Sequence, residues 1–141
     1  EGVSGGRLSS EFVSHSPEDV KDILLEADVN LSKESQIKRF GIEPSFFEKY
    51  ELESVEAVYE LARGLLYVSG ADLAIATSGK FGASEEDVSQ CFIAIGDNQV
   101  INVFKHSFKG TKNKVMQQIS KYSFLHLIKK LQGGSIEHLI R

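Results

Sequence analysis

The chain has 141 residues, 41% hydrophobic and 26% charged, with a formal net charge of −4. This is the balance of one globular domain able to bury a core of its own, and without a basic stripe it excludes DNA and RNA as partners. The single Cys91 excludes an internal disulfide, and no apolar run approaches the ~20 residues of a membrane span. A single membrane-free cytoplasmic domain over 1–141 is expected.

Ser4-Gly5-Gly6 precedes Leu8, Phe12 and Val13, apolar residues at helical spacing with Ser4 as N-cap. After Pro17, Val29 and Leu31 alternate with Asp28 and Asn30, which predicts a strand. Ser32 and Gly41 bracket a short helix over 33–40. Pro44 opens another over 45–50. Ser54 starts a longer helix whose buried face is Val55, Val58, Leu61 and Leu65, ended by Gly70. Residues 71–77 form a short apolar run, an internal strand, followed by a polar loop over 78–89. Two β-rich runs, 91–95 and 99–108, flank Gly96-Asp97-Asn98 and predict a hairpin. The longest helix spans 112–131 with Val115, Ile119, Tyr122, Leu125 and Ile128 on one side. Gly133-Gly134 stops it, leaving a final turn over 135–141. Such alternation predicts an α/β fold, a mixed sheet with one antiparallel hairpin, covered by helices on both faces.

Two backbone sites stand out chemically. Gly5-Gly6 at a helix start lets an anion approach free N–H groups, and Thr77-Ser78-Gly79 ends a strand, where α/β sheets place ligands. A tight turn and a solvated loop are the plainer readings of each. His15, His106, His126 and His138 show no close spacing, so neither a metal set nor a Ser-His pair is read, and each is expected at the surface or a helix end. No metal or cofactor is expected. Cys91 reads as a small core residue, and Glu85-Glu86-Asp87 as a solvated charge run.

Several segments in order resemble the C-terminal domain of the CinA family, whose enzymatic members are nicotinamide mononucleotide amidohydrolases. Residues 1–6, Glu-Gly-Val-Ser-Gly-Gly, resemble E-S-C-T-G-G, and 31–36, Leu-Ser-Lys-Glu-Ser-Gln, resemble Y-S-N-E-A-K. Residues 70–79 are similar to G-A-D-x-A-(L/I)-A-V-T-G, 92–95 to the strand after the family's Gly/Pro-rich loop, and 108–112 to F-P-G-D-R. The resemblance covers almost the whole chain and implies a three-layer α/β/α sandwich. It also implies a homo-oligomer, and a first strand that would lie before residue 1.

The departures bear on chemistry. The family's hydrolysis resembles Ser-Lys catalysis without histidine, yet Gly2 stands at the serine position, Leu31 at the tyrosine and Gln36 at the lysine. Pro17-Glu18-Asp19-Val20 replaces a P-G-S-S segment and carries no hydroxyl, and 80–84 replaces the Gly/Pro-rich loop. The surviving binding frame is Ser4, Gly5, Gly6, Ser78, Gly79 and Lys112, the last in place of an arginine and without its bidentate fork. A catalytically degenerate mononucleotide-binding or interaction module is therefore expected. The alternative is an active deamidase with relocated groups, Ser4, Ser32 and Lys33. A cation at a helix start is unfavourable for the helix, so Lys112 suggests an anion that Gly5-Gly6, Ser78 and Gly79 would share.

Overall fold

The computed structural model describes residues 1–15, 18 and 20–133. Its elements are α1 (Arg7–His15), a 3₁₀ turn (Val20–Asp22), α2 (Lys33–Phe40), α3 (Phe46–Lys49), α4 (Val55–Ser69), β1 (Ala74–Lys80), β2 (Ser89–Gly96), β3 (Ile101–Phe108) and α5 (Lys112–Leu131). Helix starts follow side-chain chemistry: Ser32 accepts the amide of Ser35, Ser54 that of Ala57 and Thr111 that of Lys114. Pro17, Asp19, Gly134 and the final turn over 135–141 lie outside the described residues.

The sheet has the order β1-β2-β3. The hairpin around 96–98 is present, closed by Asp97, whose carboxylate accepts the amides of Gln99 and Val100 at 2.8 and 2.9 Å. Where a mixed sheet was expected, the described strands are all antiparallel. β1 also outruns its expected end. Ser78, Gly79 and Lys80 pair with Phe92, Cys91 and Gln90, so the loop over 78–89 shortens to 81–88.

No strand forms at 27–31. The alternation there is real but inverted, with Leu25, Val29 and Leu31 exposed at 59, 49 and 65%. Arg39 of α2 is the cause: its guanidinium pairs with Glu26 and, at 3.3 Å, with Asp28, drawing the acidic side chains inward.

Helices cover both faces of the sheet. Phe40, Ile42, Val58, Leu61 and Ala62 bury Ala76, Phe92 and Ala94 on one face. On the other, Val115 and Ile119 pack with Val3 and Cys91, and Leu127 with Ile95, Ile75, Phe104 and Phe12. This places α2 and α4 on one side and α1 and α5 on the other, an α/β/α layering. Two expected faces need correction. Val55 is exposed, and on α5 Leu125 and Ile128 point outward while Ser123, His126 and Leu127 point in. Each three-residue step falls about 60° short of a full turn, so the stripe Ile119-Tyr122-Leu125-Ile128 rotates off the sheet. No helix among the described residues is long and apolar enough to cross a membrane.

Candidate functional site

Residues 1–6 lie against β1. The amide of Gly2 donates to Thr77 O at 2.9 Å, and the main-chain nitrogen of Glu1 to Asp28 O at 2.5 Å. Gly5 and Gly6 then turn the chain into α1 with φ of +58° and +93°, left-handed values that a β-carbon would strain. Ser4 was expected to cap α1, but its side chain does not. Glu1 does so instead. One carboxylate oxygen accepts the Leu8 amide at 3.0 Å and the Ser4 hydroxyl at 2.5 Å; the other accepts the Ser9 amide at 2.8 Å and the Ser9 hydroxyl at 2.5 Å. The anion-attracting helix start is thus filled by the chain's own anion. Burial raises the Glu1 pKa, but the bonds from Ser4 and Ser9 outweigh it and hold the group below its ordinary value.

Ser4 is fully buried, and its hydroxyl lies 2.8 Å from that of Thr77. Because the single Ser4 proton goes to Glu1, the Thr77 hydroxyl donates to Ser4, forming a chain Thr77–Ser4–Glu1. Gly5 is exposed and its Cα faces the Met116 side chain in the first turns of α5; Gly6 lies against Val29. Arg7 donates to Asn113 at 2.8 Å, so the starts of α1 and α5 are tied together. Lys112 begins α5 with its ammonium 5.5 Å from the centre of the Phe81 ring. The helix starts of α1 and α5 and the Thr77–Gly79 end of β1 therefore converge.

Ser78 is the exception. It projects to the opposite face of the sheet from Thr77, where its hydroxyl donates to Leu52 O at 3.3 Å. Gly79 is required by packing, since a β-carbon there would sit 2.5 Å from Gln90 O. Neither of two surface clefts, one of about 540 Å³ lined by Ser32, Glu34 and Arg39 and one of about 330 Å³ lined by Glu51, Phe81 and Phe92, is lined by Ser4, Gly5 or Gly6. Gln36, at the lysine position of the resemblance, is 2% exposed and donates to Asn30 O at 3.2 Å.

The histidine reading is corrected. His106 and His126 meet with their Nε2 atoms 3.0 Å apart, and His126 is buried. A signal for this existed: His106 shares the inward parity of Phe104 and Phe108 on β3, and His126 follows Ile119 by seven residues, two helical turns. Cys91 is buried with its thiol pushed up to about 12 by desolvation, an inert core residue as expected. Among the described residues no three His, Cys, Asp or Glu side chains gather as a metal site.

The family model of the CinA C-terminal domain matches residues 1–131. A CinA-like protein of Fusobacterium nucleatum is 28% identical over 135 residues, covering 93% of this chain and 32% of the relative. A protein of Clostridium beijerinckii described as a putative competence-damage inducible protein is 29% identical over 122 residues, covering 84% and 29%. The chain thus spans about a third of the length of these relatives. Among solved structures, a CinA superfamily protein of Klebsiella pneumoniae superposes with a TM-score of 0.79 at 21% identity, covering 94% of this chain and 84% of that one. One from Escherichia coli gives 0.80 at 20% identity, covering 91% and 76%. At that identity they share the fold.

Proposed function

Since the chain belongs to the CinA C-terminal domain family, we propose that it is a mononucleotide-binding or interaction domain of that family that has lost amidohydrolase chemistry. The observation that carries this reading is the state of Ser4. Its hydroxyl is fully buried and bonded to a carboxylate and a threonine, and among the described residues neither a lysine nor a histidine is a hydrogen-bond partner that could take its proton. Gly2 has no hydroxyl, and Gln36 binds backbone where a lysine would act. The relocated scheme fares worse: Lys33 is exposed on α2 with its ammonium 5.9 Å from the Phe47 ring, directed at an aromatic face.

A phosphate or carboxylate would approach the exposed backbone of Gly5, beside the start of α5 and Lys112. The amides of Leu8 and Ser9 are already committed to Glu1, that of Gly5 to Gly2 O at 3.1 Å and that of Arg7 to Ser4 O at 3.0 Å, so binding would draw chiefly on the Lys112 ammonium. Incubation with nicotinamide mononucleotide is expected to release no ammonia; turnover at an ordinary enzyme rate would refute the loss of chemistry. Calorimetry on the parent and Lys112→Ala tests the site. A weakening of about tenfold, on the order of 1 kcal/mol, is expected for a charge-assisted contact, and unchanged affinity would remove Lys112 from it.

The interaction half of the reading rests on Leu25, Val29 and Leu31, which present an apolar row along an extended segment outside the sheet. Homo-oligomerisation would cover it. Light scattering over a concentration series, repeated with Leu25→Glu, is expected to show an oligomer in the parent and a smaller species in the variant; a monomer at every concentration would count against it.

A further inference from the structure

The nucleotide reading leaves unused one buried polar contact, which joins the edge strand β3 to α5. The Nε2 atoms of His106 and His126 are 3.0 Å apart and the ring centres 5.3 Å apart. That separation is the N···N distance plus one ring radius at each end, so the rings point at each other head-on. Such alignment suits an N–H···N hydrogen bond rather than two lone pairs converging on a metal.

The surroundings decide which nitrogen holds the proton. His126 stacks on Phe104 at 3.8 Å, and its Nδ1 is buried without a partner. A bare lone pair there is cheaper than an unpaired N–H. His126 therefore carries its proton on Nε2 and donates to His106, which carries its own on Nδ1. One extra proton breaks this arrangement. Placed on His106 Nε2, it sets two N–H groups against each other; shifting the His126 proton to Nδ1 to relieve the clash buries an unpaired donor.

Among the described residues no nearby group compensates. His106 packs against Phe108 and Tyr122 and lies opposite Cys91, whose thiol stays neutral. From α5, Lys129 adds positive charge at His126, and Lys130 is paired with Asp97 of the hairpin at 3.4 Å. Glu11 of α1 is held by Arg7 and Ser120.

We propose that the His106–His126 pair is an acid-sensitive clasp that, while neutral, holds the C-terminal half of α5 on β3 and, on taking up a proton, releases it. Release would uncover the cluster of Ile95, Leu127, Phe104 and Phe124. Desolvation lowers both pKa values from 6.5, that of His126 to about 4 with further help from the charges of His106 and Lys129. The unfolded chain thus binds more protons than the folded one between those values, and stability falls as pH drops from about 6.5 toward 4.

Nitrogen-15 NMR of the intact chain tests the clasp without mutation. At neutral pH the expected tautomers are Nε2–H on His126 and Nδ1–H on His106, both titrating below 6.5. Hydrogen-exchange protection over residues 120–131 should fall between pH 7 and 5 while that of β2 holds. The opposite tautomers, ordinary titration, or equal loss of protection in both elements would overturn the proposal. His106→Phe, which keeps a ring between Phe108 and Tyr122, should reduce the proton uptake on unfolding near pH 5. An unchanged slope would also overturn it, and if the variant does not fold, the NMR result on the parent decides.

Discussion

The start of α1 and the junction of β3 with α5 are both places where polar side chains lie in apolar surroundings, and they solve the problem differently. Around Glu1, four donors from Ser4, Leu8 and Ser9 meet one carboxylate, and Thr77 completes the chain. Around His126 a single bond is made, and Nδ1 and the nearby Ser123 hydroxyl are buried with nothing to bind. A satisfied network is costly to cut but insensitive to its surroundings, whereas an under-satisfied one hangs on the position of one proton. The same comparison explains why the helix start that looked ready for a foreign anion is a structural joint: its donors are already used.

The largest effect that would sharpen the contrast is Glu1→Ala. It leaves the Leu8 and Ser9 amides and two hydroxyls without their shared acceptor, and should cost about 2 kcal/mol in urea denaturation. A loss below a few tenths would mean that water replaces the carboxylate freely. Acid titration should separate the two regions in the same chain. The histidine contribution fades from about pH 6.5 downward. The Glu1 contribution, from a carboxyl held below its ordinary value, is intact above pH 4.5 and fades only beneath it. Thr77→Val, nearly isosteric, removes only the outermost donor of the chain and should cost about 1 kcal/mol.

How far each region was legible follows from the range of the interactions. Ser32, Ser54 and Gly96-Asp97-Asn98 act on neighbours within three residues, and the elements they start or turn appear where expected. The segment around Val29 was misread because its inward face was chosen by Arg39, ten residues on, rather than by hydrophobicity. Gly5-Gly6 announced a tight turn, which the structure makes with positive φ, but not that Glu1 would fold back onto the amides of α1. Lys112 and Gly5-Gly6 were expected near one another and their helices do meet, whereas Ser78 was assigned to a loop and instead lies in β1 facing away. The histidines were read by spacing along the chain, a criterion suited to metal motifs. A pair formed across a strand and a helix is visible only when both are placed on inward faces.

One substitution made twice puts the comparison at its finest. Ser4 and Ser123 are both fully buried, but the Ser4 hydroxyl bridges Thr77 and Glu1 while the Ser123 hydroxyl has no partner. Ser4→Ala strands a threonine donor and weakens a carboxylate's solvation, and should cost about 1 to 2 kcal/mol. Ser123→Ala removes a buried polar atom that binds nothing, from within a helix where alanine is intrinsically favoured. It should leave stability unchanged or raise it by about 0.5 kcal/mol. Opposite signs for one chemical change at equal burial, beyond the few tenths of a kcal/mol that alanine gains within a helix, would attribute the difference to hydrogen-bond satisfaction. Equal losses at the two positions would show instead that Ser123 has a partner, such as a bound water, and that the β3–α5 junction is as well satisfied as the start of α1.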